Sequence, residues 1–487
     1  MNIPSYCKLI YRADIDGLRA FAILSVVVGH FFPEILPGGF IGVDVFFVLS
    51  GYLITGIILK ELELGHFSFI LFWSRRIRRL FPSLIIVLLA VYIYGWIYYL
   101  PRQFVDLGNQ IFASAAFYSN ILNYLEVGYF DTLASAKPLL HLWSLGVEEQ
   151  FYIFFPILLV LIFKVSKNRL PLMFLLLGIF SFLASILLLK IKPSFVFYLP
   201  FTRLWEFMLG GGLAYVNCYN QKNSAFKYLQ NSATAILGIV IISLGLFLIE
   251  SKSFPGWWAL IPTIGSVLII IAGRRTFINR NLFGNRILVF VGLISYPLYL
   301  WHWPLLVFIK NLYPDESIKI KLTAIAVAFV LSFLSYRFIE LPIRKVKGCW
   351  IKKVVFPLIC LMSLIMVMAV ITIKTNGLLI RFPEIIRNFL IPTYTYEKEF
   401  TGKPGKYSFK SPNPEGYSTL LLMGDSHSEH LYPGLKDLED AKLLRIIKKN
   451  WGLCSPISLN KLLKDKCRKE MDETKKNIIM LNPDIVV

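Results

Sequence analysis

The chain has 487 residues, of which 56% are hydrophobic and 15% aromatic, and its mean hydropathy is +0.62. No soluble globular core needs that much apolar surface, so the composition excludes an ordinary soluble domain and points to a multi-span membrane protein. Fifty-one Lys and Arg against 30 Asp and Glu give a formal charge of +21, but the excess sits in short loops between apolar runs, a pattern that sets membrane orientation and argues against a nucleic-acid-binding face.

The first apolar run follows a short polar N-terminus and ends at Pro33 and Glu34 without a small-residue cleavage site, so no cleavable signal is expected. Between Tyr11 and Lys60 two apolar runs are joined by a Pro/Gly turn, each long enough to cross a bilayer at about 20 residues per crossing. Arg19 opens the first run and His30 lies near its end. Their separation is close to a whole number of helical turns, which puts both on one face about 16 Å apart along the axis. Ionisable groups in a membrane helix are costly and face a protein interior or a wet cavity. A histidine there suits proton transfer or nucleophilic attack; its bland alternative is a structural hydrogen bond.

Further along, crossings are expected at about 15–33, 40–60, 80–100, 148–164, 170–190, 198–217, 233–250, 257–272, 287–309, 320–340 and 354–373. The stretch 104–123 is short and moderately polar (Asp106, Asn109, Gln110, Ser114, Ser119, Asn120). If it does not cross, five Lys/Arg-rich loops share the N-terminal side, while the opposite loops hold scattered lysines and one arginine, Arg102. Positive loops stay cytoplasmic. The expectation is therefore eleven spans with the N-terminus inside, an extracytoplasmic excursion with partial helices at 101–147, and a tail outside after about residue 374.

Residues 374–416 read as a linker rich in Pro, Lys, Tyr and Gly. From Ser418 the pattern becomes soluble α/β. STLLLMGDSHSEHL is a buried strand running into a turn and a helix, LLRIIKK a second strand, RKEMDETKKNIIMLN a helix, and DIVV a third strand. Cys454 and Cys467 lie on the oxidising side of this topology, where a disulfide between them competes with two free thiols.

Several stretches carry chemistry. In WSRRIRRLFP, Arg75 and Arg78, or Arg76 and Arg79, are i, i+3 pairs that share a face and can hold phosphates through paired hydrogen bonds; an ordinary positive-inside cluster is the alternative. In LLHLWSLGVEEQFYIFFP, Glu148 and Glu149 lead into a span just after His141 and Trp143, placed to bind sugar hydroxyls, to act as a base, or simply to anchor the interface. TRLWEF puts Arg203 and Glu206 three residues apart within a span, which reads as a mutual ion pair. His302, between two tryptophans in SYPLYLWHWPLL, is a second candidate catalytic histidine or a packing residue.

Taken together, five motifs resemble the integral-membrane acyltransferase-3 family over about residues 11–345. They are Arg19 with His30; Phe46-Phe47-Val48-Leu49-Ser50-Gly51; the RxxR pairs Arg75/Arg78 and Arg76/Arg79; Trp143 to Tyr152; and Ser295 to Pro304. The tail resembles the SGNH hydrolase-like domain fused to some of these enzymes, with Gly424-Asp425-Ser426-His427 as its first block and Ser426 as an acyl-accepting nucleophile on a strand-to-helix turn. It departs from that family where it stops at Val487, without the later Gly and Asn blocks or the DxxH base. His427 and His430 are badly placed to serve instead. The expectation is a truncated chain or an inactive tail.

The resemblance implies a ten-span acyltransferase domain (11–345), an eleventh transmembrane helix (350–373), the linker (374–416), and the N-terminal part of an SGNH-like domain (417–487). It implies O-acetylation of a surface glycan (O-antigen, capsule, exopolysaccharide or peptidoglycan, or a lipid-linked sugar) in the bacterial cytoplasmic (inner) membrane, with acetyl-CoA as donor and no metal. His30, Arg19, Glu149 and Ser426 would be catalytic, His30 as base or transient acyl carrier, while Arg75, Arg76, Arg78, Arg79, Ser50 and Gly51 would hold the donor. Beyond the bilayer, the donor and the glycan no partner is specified, and a homo-oligomer is left open. The rival reading is a proton-coupled exporter of a glycan precursor, against which stands the lack of an obvious inverted repeat. A surface esterase merely tethered by the membrane part is disfavoured by the missing base.

Overall fold

A computed structural model of the chain describes residues 11–126, 136–219, 227–250, 254–313, 317–346 and 350–382, together with three strands further on. The chain divides into two units, Met1–Leu379 and Ile380–Val487.

The described part of the first unit is helical. Helix α1 (Ala13–Phe31) opens with Asp14 and Asp16 at the positive end of its macrodipole, and Arg12 just before it reaches Asp14 at 2.6 Å. A Pro/Gly turn leads into α2 (Gly42–Glu63). Ser68 then caps α3 (Phe69–Tyr98) by accepting from the Leu71 N–H. The polar stretch after it forms two short helices, α4 (Pro101–Ala115) and α5 (Ser119–Glu126), around a left-handed residue, Phe117 (φ 57°). Next come α6 (Trp143–Val165), α7 (Leu170–Leu189), α8 (Pro193–Tyr198), α9 (Leu204–Tyr219), α10 (Ser232–Leu248) and α11 (Leu260–Ala272). The series ends with α12 (Arg286–Leu293), α13 (Ser295–Leu312), α14 (Ile318–Leu334), α15 (Leu341–Lys345) and α16 (Phe356–Lys374). Gln150 of α6 donates to the Phe117 carbonyl and to Asn120 Oδ1, each at 2.9 Å, and so fixes the α4–α5 turn.

Among the described residues six helices are long and apolar enough to cross a membrane, or seven if α12 and α13, bent by 66°, cross as one. The other four crossings expected from the sequence are α1, α9, α10 and α11. Helix α1 carries Asp14, Asp16 and Arg19 at one end, and α9 and α10 span 16 and 17 residues, short against about 20 for an untilted crossing.

Close packing of α2 on α9 forms the centre. A Cβ on Gly51 would strike the Phe207 carbonyl, and one on Gly210 the Val48 carbonyl. Without a hydrophobic drive between helices in lipid, such small-residue contacts let backbones approach and gain dispersion. Phe207 stacks between Phe47 and Phe151 at ring distances of 4.7 and 4.3 Å, tying α6 to the pair.

In the second unit β1 (Ser418–Gly424), β2 (Leu444–Asn450) and β3 (Ile485–Val486) are parallel in the order β2-β1-β3, with Leu421 opposite Ile447 and Val486. They fall on the three stretches read as strands. Residues 383–417, Ser426, Cys454, Cys467 and the expected intervening helices lie outside the described residues.

Candidate functional site

Arg19 and His30 stand at opposite ends of α1, and each lines a different cavity. The first, of 1120 Å³, is walled by Arg12, Arg19, Arg76, Arg79, Lys227, Arg274 and Arg275, with Asp16 as its single described carboxylate and with Ser50 and Tyr152 on its floor. Part of this charge is compensated. Arg12 is held by Asp14, Arg19 leans on Asp16 at 3.4 Å, and Arg76 lies over the Tyr152 ring at 3.9 Å with Glu149 at 3.7 Å. Arg79 makes no ion pair among the described residues. Lys227, Arg274 and Arg275 are exposed at the rim.

Helical spacing alone left two arginine pairs open, and the structure separates them. Arg75, 41% exposed, pairs with Glu61 at 2.7 Å. Arg78 donates to the Val346 carbonyl at 3.3 Å and stacks on Trp350. Neither lines the cavity; Arg76 and Arg79 do.

The second cavity, of 170 Å³, is lined by His30, Asp44, His141, Arg203 and Tyr299 among aromatic walls that include Trp143 and Trp303. His30 Nδ1 lies 3.0 Å from His302 Nε2, with the rings parallel to within 4°. The tautomers follow from the partners. His302 Nδ1 faces the Tyr299 carbonyl at 2.7 Å, and a carbonyl only accepts, so that nitrogen carries the proton. In a neutral His302 the Nε2 is then an acceptor, and His30 donates to it through Nδ1–H. That leaves the lone pair of His30 on Nε2, the nitrogen not bound to His302 (a base held in one orientation, as a catalytic imidazole requires).

Along α2 the second cavity uses Val43 and Asp44 and the first begins at Ser50; along α6 the corresponding residues are Trp143 and Tyr152. No lining residue is shared. Between them lie Phe47, Ser144 and Glu148. Glu148 accepts from the Ser50 hydroxyl, and the Tyr152 hydroxyl, with one proton to give, lies against both Glu148 and Ser50, the latter at 2.8 Å. Tyr299 donates its only hydroxyl proton to the His141 carbonyl, so Ser144 is the donor in its 2.7 Å bond to Tyr299.

Not every expected site residue reaches a cavity. Gly51 lines neither and packs α2 on α9 instead. Glu149 lines neither and faces Arg76. Ser426 is outside the described residues. Arg203 forms the expected pair with Glu206 at 2.9 Å, and also one with Asp44 at 2.7 Å that the sequence did not suggest. In the sequence Lys227, Arg274 and Arg275 belong to the Lys/Arg-rich loops that set orientation, and their place on the same side as Arg76 and Arg79 is the available clue. No group of three or more His, Cys, Asp or Glu fit to hold a metal occurs among the described residues.

Comparison with known proteins gives a consistent result. The acyltransferase domain profile matches residues 12–339. A Staphylococcus aureus (strain MSSA476) protein named provisionally as an O-acetyltransferase is 36% identical over 365 residues, covering 71% of this chain and 59% of the relative. The peptidoglycan O-acetyltransferase OatA of Listeria monocytogenes serovar 1/2a is 33% identical over 350 residues, 69% of this chain and 56% of the relative. The O-acetyltransferase OatA of Staphylococcus aureus strain NCTC 8325 is 31% identical over the same length, covering 69% and 57%. The chain thus spans less than two thirds of the length of these relatives. No solved structure matches it.

Proposed function

The chain belongs to the acyltransferase domain family, and from that membership we propose that it is an O-acyltransferase, moving an acetyl group from cytoplasmic acetyl-CoA to a hydroxyl of a cell-surface glycan. The observation that carries the reading is the pairing on one helix of a polycationic cavity, around Arg19, with an oriented imidazole, His30, at the far end. In this reading the helices make eleven crossings of the inner membrane, and the Lys/Arg-rich loops keep the cationic cavity on the cytoplasmic side.

The cationic cavity suits a phosphate-rich thioester, with Arg76 and Arg79 giving charge-assisted hydrogen bonds to its phosphates and Glu149 positioning Arg76. Its thioester arm passes the Ser50–Glu148–Tyr152 cluster to reach His30. There Nε2 takes the proton of the acceptor hydroxyl, the oxygen attacks the thioester carbonyl carbon, and the carbon–sulfur bond breaks. The imidazolium then returns the proton to the departing thiolate, leaving an ester and a free thiol. The name of the Listeria relative puts peptidoglycan first among acceptors. Ser426, in a complete SGNH-like tail, is the proposed relay between His30 and the glycan.

The test is acetyl transfer by membranes carrying the chain, supplied with radiolabelled acetyl-CoA, wild type against His30→Ala. Loss of the base is expected to lower the rate by about 10² or more. Equal rates would remove the enzyme reading in favour of an exporter.

A further inference from the structure

Arg19 and His30 stand about 16 Å apart along α1, one on each cavity, and no described residue lines both spaces. Side chains of α2 and α6 fill the stretch between. Toward the His30 end, Phe47 is 1% exposed, stacked on Phe207 at 4.7 Å and edge-on to Trp143 at 6.3 Å. Toward the cationic end stand Ser50, Glu148 and Tyr152. The two α6 residues are four apart and share a face, which meets Ser50 of α2. Ser50 donates to Glu148, and the Tyr152 hydroxyl lies against both.

Two features make this cluster more than a tie between helices. Its contacts join side-chain ends, so a change of rotamer undoes them without moving either helix. The Tyr152 carbonyl, by contrast, is fixed by the Trp73 indole of α3 at 3.1 Å, so the backbone stays while the ring turns. The second feature is Arg76, which lies on the Tyr152 ring at 3.9 Å and lines the cationic cavity. An anion in that cavity competes with the ring for the guanidinium. A charge-assisted hydrogen bond to phosphate outweighs a contact with a ring face, so phosphate favours the arrangement in which Arg76 has left Tyr152.

We propose that Tyr152, with Ser50 and Glu148, is a gate between the two cavities, and that phosphate groups in the cationic cavity open it by drawing Arg76 off the Tyr152 ring. Closed, the gate separates the His30 end from the cationic cavity; open, it admits the arm of a bound donor. The three are positioning residues, since none touches the reacting atoms. The closure stands on this geometry, whereas the identity of the passenger as a thioester arm rests on the acyltransferase reading above. Tying the opening to phosphate has a use: the way to His30 clears only when a donor stands in it, which spares the thioester from entering water.

The gate is read by thiol labelling in inside-out vesicles. The full chain is cleared of its own cysteines and given Val43→Cys in the His30 cavity. It is exposed to the impermeant reagent methanethiosulfonate ethyltrimethylammonium, with or without adenosine 3′,5′-bisphosphate, which has phosphates but no arm. Labelling is expected to be slow alone and at least fivefold faster with the nucleotide. Adding Tyr152→Phe, or Ser50→Ala as a second near-isosteric variant, is expected to give the fast rate without nucleotide and to abolish the response to it. A cluster that only ties α2 to α6 changes stability and not this response. Fast labelling of the parent chain alone, no acceleration by the nucleotide, or an acceleration that persists in both variants overturns the proposal. The two readings fail separately. A chain whose labelling follows the nucleotide but which forms no acetyl ester keeps the gate and loses the enzyme; one that transfers acetyl groups while its labelling ignores the nucleotide keeps the enzyme and loses the gate.

Discussion

Arg79 lines the cationic cavity beside Arg19 and Arg76 and makes no ion pair among the described residues. A hydrogen bond to a charged group is worth about 1.5–3 kcal/mol, so Arg79→Gln is expected to raise the KM for acetyl-CoA by about one to two orders of magnitude. Arg75→Gln is expected to leave it within about twofold, because an exposed pair such as Arg75–Glu61 contributes about 0–1 kcal/mol. Steady-state kinetics on the two variants checks both. At the other end, His302→Phe frees His30 from its fixed tautomer while sparing the donor cavity. A fall in kcat of about 10²-fold with donor KM unchanged is expected, and an unchanged kcat would reduce His302 to a packing residue. The sequence carried His30, Arg19 and the arginine run plainly, because i, i+3 spacing and an ionisable group in an apolar run are local signals. It could not choose between the overlapping pairs, since that choice depends on where α1 and α6 stand against α3. His302 showed as a candidate, but its contact with His30 joins residues 272 positions apart.

The glycines of α2 and α9 set a contact rather than a binding loop. Gly210→Val would force its side chain against the Val48 carbonyl and Tyr52, and overpacking of that kind costs about 1–3 kcal/mol. The expected outcome is a lowered Tm in detergent with the donor KM of the surviving protein unchanged; a raised KM with unaltered Tm would instead return Gly51 and its neighbours to the donor site. The motif containing Ser50 and Gly51 is thus split by position between adjacent residues, Ser50 on a cavity floor and Gly51 in a helix crossing, a split that helical geometry makes natural and that a motif cannot reveal. Elements were otherwise legible where apolar runs were long. They were least legible at α9, α10 and α11, where a short helix can cross, tilt or stop within the bundle with the same composition.

For the molecule as a whole, charge asymmetry is the strongest statement about orientation. Single cysteines introduced into a chain cleared of its own should react accordingly. One at Glu34 is expected to take an impermeant maleimide in intact cells, and one at Arg280 only in inside-out vesicles; the reverse pattern would invert the proposed direction of transfer. The seven cations around one cavity add a second global expectation. Donor KM should rise with ionic strength far more steeply than any constant for a neutral sugar, because exposed charge is screened over about 8–10 Å at physiological salt.

The two cavities share no lining residue, and Phe47, Ser144 and Glu148 stand between them. Among the described residues the two spaces are therefore separate, and the thioester arm of the proposed donor reaches His30 only where these side chains give way. In the proposed transfer what crosses is a covalent passenger, one acyl unit at a time, which makes the device an airlock and not a pore.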